Sequence, residues 1–269
     1  MERANLPWLP PAPADFRVLL KALDALAHPL ERMVRLASCA LDANQLHALN
    51  TRLARLASNA AGPLDGLVPI RVAMLSNATT TLLTPCLAAT GLRFGFHVTP
   101  IEADYDQLLQ QAADPAAAIH GADVVIVALD YRALPELSDE FSEHETEAVD
   151  RAIDFVNAMT NGLRANGRAR LVVQTVARPP AQLFGNADAV IEGSRTRRIA
   201  RFNQRLIDAA ANAHDIILDV AGLADAVGLD QWFDDVQWHV GKFAFHQRFV
   251  PLYADHCMRL IAAAYGRVG

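Results

Sequence analysis

The sequence predicts an α/β fold: a three-layer α/β/α sandwich built on a five-stranded, mainly parallel sheet and preceded by a small helical appendage. Three observations lead there. Five short apolar runs, "IRVAML" (70–75), "FHVTPI" (96–101), "DVVIVAL" (123–129), "RLVVQTV" (170–176) and "DIILDV" (215–220), are separated by longer stretches of helical periodicity. Strands this continuously apolar are buried on both faces, as in a parallel sheet covered by helices. Ahead of Pro69 no such strand occurs, and the periodicity there is helical alone.

The elements follow in order. Residues 1–14 are rich in proline, which fixes φ and restricts the residue before it, so this start is expected to run extended and to pack through Trp8 and its leucines. From Asp15 to about Ser58, Phe16, Leu19, Leu20 and Leu23 recur at helical spacing, and Leu46, Leu49, Leu53 and Leu56 follow a candidate N-cap at Asp42. "NAAGPLDG" ends that run with helix breakers. The domains read as 1–66, the proline-rich start and helical appendage, and 67–269, the α/β/α domain. Within the latter, helices are expected near 79–90, 104–111, 142–166, 196–213 and 247–265.

Composition bounds the function. The chain has 269 residues, 52% of them hydrophobic, which suffices for a sizeable core and excludes a disordered chain. No window reaches the roughly 18 unbroken apolar residues of a membrane span, and the N-terminus lacks the apolar stretch of a secretory signal. A soluble, cytoplasmic protein without a membrane partner is the expectation. The net charge of −6 argues against nucleic acid. Cys39, Cys86 and Cys257 lie far apart and read as reduced core residues, and the nine histidines show no metal-ligand pairing, so no metal site is expected. The local exception to the acidic balance is "SRTRRIARFNQR" (194–205). Its arginines, Arg197, Arg198 and Arg201 among them, form either a solvated helix face or a docking surface for an acidic partner.

In a doubly wound sheet, ligands bind beyond the carboxyl ends of the strands. Those ends carry Ser76, Asn77, Thr79 and Thr80, then Glu102 and Asp104, then Asp130, Tyr131 and Arg132, then Gln174 and Thr175. The return "DDVQWHVGKF" (234–243) adds Asp234, Asp235 and His239. Ser76 with His239 and one of the two aspartates has the composition of a hydrolytic triad, in which the histidine takes the hydroxyl proton and the carboxylate orients the ring. Each residue also has a structural reading. Asp130 could cap a turn or pair with Arg132, and His239 could be a core histidine bonded to a carbonyl. A third arrangement has Asn77, Thr79, Asp130, Arg132 and His239 forming a pocket for a small anion. "LSNATTTLLTP" contains no glycine, so no phosphate-cradling loop follows the first strand and nucleotide cofactors drop out.

"LPWLPPAPADFR", "LDANQLHALN", "RVAMLSNATTTLLTPCL", "ADVVIVALDYRAL" and "QWFDDVQWHVGKFAFHQRFVPLYADHCMRLIAAAYGR", in that order, resemble the N-terminal region of FkbH-like proteins, also called the HAD-IIIC family. The resemblance implies a flavodoxin-like sandwich of the SGNH-hydrolase type. It also implies a downstream haloacid-dehalogenase (HAD) domain that takes a glyceryl unit from a phosphorylated three-carbon donor and loads it onto an acyl carrier protein in polyketide pathways. No "DxDxT" string of such a domain occurs here, so the chain reads as one domain of a longer protein, with no cofactor of its own and Mg²⁺ expected only in the HAD domain. Laid on the SGNH blocks by strand register, Ser76 takes the place of the first block's glycine, Asn77 that of its aspartate and Ala78 that of the nucleophile. Ala128 and Asp130 fall where a glycine and an oxyanion asparagine belong, and a carboxylate would repel an oxyanion. The implied function is a degenerate SGNH-like domain that docks or scaffolds, with the HAD domain, an acyl carrier protein and a three-carbon phosphate ligand as partners. The alternative is an active serine hydrolase using Ser76, Asp235 and His239 on an ester or thioester.

Overall fold

The computed structural model describes residues 5–101, 103 and 107–267. Its five strands, β1 Val68–Ser76, β2 Phe96–Ile101, β3 Val124–Ala128, β4 Arg170–Gln174 and β5 Ile216–Leu218, form one sheet in the order β2-β1-β3-β4-β5. The pairs β1 with β3, β3 with β4 and β4 with β5 are parallel. The chain leaves β1 for β2 on one side and returns as β3 on the other, so the order reverses between β1 and β3. That reversal opens a crevice at the strands' carboxyl ends.

Twelve α-helices occur among the described residues: α1 Phe16–Ala22, α2 Leu30–Ala37, α3 Ala43–Asn59, α4 Leu83–Gly91, α5 Leu108–Ala113, α6 Pro135–Ser138, α7 Glu145–Asn166, α8 Arg195–Ala213, α9 Val220–Val227, α10 Leu229–Trp232, α11 Asp235–Gly241 and α12 Val250–Ala264. None is long and apolar enough to cross a membrane. The chain divides into two compact units, each made of discontinuous segments: residues 1–71, 80–100 and 247–269, and residues 72–79 and 101–246. This division runs differently from a boundary at residue 66, because α4, β2 and α12 cluster with the N-terminal helices.

In the first unit, α4 packs against both α3 and α12. Its apolar residues therefore occupy every side, and Leu83 and the run from Cys86 to Gly91 are all buried. Asp42 caps α3 as the sequence suggests: its carboxylate accepts from Gln45 N–H and Gln45 Oε1 accepts from Asp42 N–H, satisfying two amides that would otherwise lack partners. The proline-rich start is extended where Pro11 bridges to Ala40, and Trp8 Nε1 donates to the buried Asp255 at 3.1 Å. Asp255 also accepts from Arg259 at 2.8 Å and pairs with Arg93. Burial, aided by the charge of Arg259, lowers the Arg93 pKa to about 10. Cys86 and Cys257 are buried and their thiols are pushed up to about 12, mainly by desolvation, whereas Cys39 is half-buried.

In the second unit, Ala73, Leu75, Val125, Val127, Leu171 and Val173 point from the sheet into a core with Val149, Ile153 and Met159 of α7 and Ile199 and Phe202 of α8. The alternate strand residues, Val72, Met74, Val124, Ile126 and Val172, are buried as well. Both faces of these strands are thus covered, as their apolar continuity predicts. Gly162 lets α7 approach α5, since a Cβ there would lie 2.8 Å from the Ala112 carbonyl oxygen. The return after β5 is helical rather than a loop: Asp234 caps α11 by accepting from Gln237 N–H at 3.0 Å. The final helix starts at Val250, with Pro251 in its first turn, where a missing N–H costs nothing.

Candidate functional site

The crevice between β1 and β3 is built from the residues that follow each strand. Ser76 ends β1 in register with Ala128 at the end of β3. Its hydroxyl donates to the Ala128 carbonyl at 2.8 Å and accepts from Ala78 N–H at 3.0 Å. These two bonds close the turn after β1 and commit the hydroxyl proton to a backbone acceptor. Asn77 and Asp130, both buried, bond reciprocally: Asn77 Nδ2 donates to Asp130 Oδ1 at 2.8 Å and Asp130 N–H donates to Asn77 Oδ1 at 3.0 Å. The pair fastens the two strand ends across the switch point.

Asp130 then takes both of the structural roles open to it. It accepts from Arg132 N–H at 2.8 Å, capping the turn, and from Arg132 Nη1 at 2.7 Å. The Arg132 guanidinium sits among three aromatic rings, 4.1 Å from the centroid of Trp238, 4.7 Å from Tyr131 and 5.5 Å from Phe233. Such contacts add about 0.5–2 kcal/mol each, depending on desolvation. Burial raises the Tyr131 phenol above its ordinary value, with the neighbouring Arg132 opposing. Thr79 joins the far wall: its hydroxyl donates to Gly241 O at 2.7 Å and its N–H to Lys242 O at 2.9 Å. Lys242 ends α11 in the left-handed region, φ 55°, with Nζ 5.0 Å from the Trp238 ring centroid. Asn77, Leu108, Arg132, Phe155, Trp238 and Lys242 line a cleft of about 500 Å³.

The hydrolytic set does not assemble in this way. His239 is exposed in the last turn of α11 and has no polar partner among the described residues. The Asp235 carboxylate is 86% exposed and lies 3.9 Å from Arg132 Nη2, not beside His239. The acid and imidazole that do approach each other are Asp234 and His246, at 3.8 Å. Glu102 and Asp104 lie outside the described residues. Gln174 Nε2 donates to Leu129 O, and Thr175 Oγ1 to Asp219, so both serve the sheet edge.

The arginine segment forms α8, capped by Ser194, but its arginines divide. Arg198 has no exposed surface and donates through Nε, Nη1 and Nη2 to the carbonyls of Gly193, Glu136 and Asp139. Its place on a docking face is thereby corrected: the side chain points into the protein, where three backbone carbonyls face it, one of which, Gly193 O, also accepts from Ser142 N–H. Arg197 and Arg201 pair with the buried Glu145 at 3.0 and 2.6 Å.

A family model described as the FkbH N-terminal domain matches residues 71–262, well over half of the chain. The chain belongs to the FkbH N-terminal domain family. No curated protein matches it. Among solved structures, the N-terminal part of the protein BF1531 from Bacteroides fragilis, containing a phosphatase domain and complexed with Mg, is similar at TM-score 0.66 and 22% identity over 74% of this chain. The match covers 53% of that chain, so the present domain spans about half of its length. A G-D-S-L family lipolytic protein from Desulfitobacterium hafniense is more distant, with TM-score 0.44 at 11% identity over 71% of this chain and 99% of that one.

Trp238, Lys242 and Phe155 are the site residues of this FkbH N-terminal domain that sequence reasoning missed. For the first two a signal existed: Trp238 and Lys242 are four apart, the spacing that brings side chains together on a helix, within the stretch already singled out. Phe155 carries no such mark, since it reads as one more apolar position of α7.

Proposed function

We propose that this FkbH N-terminal domain is a non-hydrolytic binding and docking module. It would serve a HAD domain of the same protein, in the cytoplasm, during transfer of a three-carbon unit derived from a phosphorylated donor to an acyl carrier protein. The observation that carries the reading is the Ser76 hydroxyl, held between Ala128 O and Ala78 N–H with no hydrogen bond to an imidazole among the described residues. A nucleophilic serine must hand its proton to a base as it attacks, and a carbonyl cannot take it. Asp130 in the oxyanion position points the same way, because its charge is already engaged with Arg132 and would oppose a second negative charge. In this reading the domain uses no cofactor of its own, and Mg²⁺ serves the HAD domain. The partner face on α8 consists of Arg201 and Arg205, whose side chains are 47% and 45% exposed, beside the half-buried Arg197.

A fluorophosphonate probe and a panel of p-nitrophenyl esters test the reading. No labelling and no turnover are expected. Labelling of Ser76 that disappears in Ser76→Ala would overturn it in favour of a serine hydrolase in which Asp235 and His239 move onto Ser76.

A further inference from the structure

We propose that the cleft above the β1–β3 switch point binds small organic monocarboxylates, with Lys242 supplying the charge that captures the head group and Arg132 and Trp238 forming the wall that positions it. This deepens, and rests on, the reading of the domain as a binding module. The cleft of about 500 Å³ lies within the range of small-molecule sites. Apolar side chains, Leu108 and Phe155, line it together with the polar Asn77 and the two cations. A ligand with a short apolar stem and one charged end matches such a lining.

The charge present decides the class of head group. Asp130 neutralises Arg132 at 2.7 Å, and the Asp235 carboxylate stands 3.9 Å from its other terminal nitrogen. The Lys242 ammonium has no carboxylate partner among the described residues and lies 5.0 Å from the centroid of the Trp238 ring. Among the described residues one cation of the cleft is therefore unmatched. A carboxylate brings one negative charge, whereas a phosphomonoester brings about 1.5 to 2 at neutral pH and would leave an excess beside Asp130 and Asp235. The site is also preorganised. The side chain of Arg132 is only 13% exposed and is held by Asp130 and three rings, so little rotamer freedom is lost on binding. Asn77 uses one amide hydrogen on Asp130 and keeps the second for a ligand oxygen. Because the Lys242 carbonyl accepts from Thr79 N–H, the lysine is anchored through its backbone and its side chain can be changed without breaking that bond.

The test titrates the full chain with butyrate and with propyl phosphate, which share a stem and differ in the head, against sodium chloride at matched ionic strength. The readout is tryptophan fluorescence, with calorimetry in parallel. Three tryptophans contribute, and Trp238→Phe assigns the response to the cleft. Butyrate should give a saturable change that is absent in Trp238→Phe, about tenfold weaker in Lys242→Met and retained in Lys242→Arg, with propyl phosphate binding less tightly. Butyrate that does no more than sodium chloride, equal affinity in Lys242→Met, or tighter binding of propyl phosphate would each overturn the proposal. Should Lys242→Met not fold, a wild-type butyrate affinity indifferent to salt would do the same, because capture by an exposed lysine is screened. Failure here with Ser76 unlabelled by fluorophosphonate removes the ligand assignment alone, whereas a labelled Ser76 removes the binding-module reading beneath it.

Discussion

Arg198 and Arg132 are the same residue in two settings 66 positions apart in the chain, and the contrast separates a sealed cation from one in the wall of a cleft. Arg198 is sealed, and each of its three guanidinium nitrogens donates to a backbone carbonyl. Nothing is left for a ligand. Arg132 is fastened by one edge to Asp130, while its flat face lies on Trp238 in the wall of an open cleft. The difference does not lie in charge or propensity. It lies in how many donors the fold itself has already satisfied.

Substitutions can break or sharpen this contrast. The largest effect is expected for Arg198→Met, which takes their donor from the Glu136 and Asp139 carbonyls and one of two donors from Gly193 O, and should lower unfolding free energy by about 4 kcal/mol in a urea titration. A loss below about 1 kcal/mol would show that those carbonyls find water or new partners, and the distinction would fail. Glu145→Gln comes next. The buried carboxylate accepts from Gly193 N–H and holds Arg197 and Arg201, so about 2–3 kcal/mol should go, with α8 less protected in hydrogen exchange.

Asp130→Asn sharpens the other side. It keeps an oxygen for the Arg132 N–H but removes the charge that balances the guanidinium, at a cost of about 1–2 kcal/mol. The same change leaves Arg132 with only the exposed Asp235 at 3.9 Å to balance it, so propyl phosphate should gain about tenfold in affinity by calorimetry. Unchanged phosphate binding would mean that Arg132 takes no part in the cleft. The smallest effect belongs to Arg205→Gln on the outer face of α8. Its partner Asp150 is 48% exposed, and melting curves should move by the equivalent of no more than about 0.5 kcal/mol.

The strands were legible because burial on both faces writes a continuous apolar run, and all five lie where those runs fall. The Asp42 cap was legible for a similar reason: the pattern is local, with both partners within three residues. The return at 234–243 was noticed for its composition, yet its helical form was not expected. Asp234 can act as a cap or as a triad acid, and nothing within ten residues chooses between them. Arg198 was misplaced because helical periodicity assigns faces only relative to one another. Which face turns inward depends on the carbonyls of residues 136, 139 and 193, two of which lie more than fifty positions away.

The sequence by itself determined the alternation of strand and helix and the gathering of polar residues at the strand ends, because both are written in local periodicity and residue type. Only the tertiary structure decided what the polar residues do. It ties Ser76 to Ala128 O, locks Asn77 to Asp130 and brings Trp238, with Lys242 beside its ring, onto Arg132 from more than a hundred residues away. A hydroxyl, a carboxylate or a guanidinium acts through the partners left to it after folding, and those partners are set by contacts that no local pattern encodes.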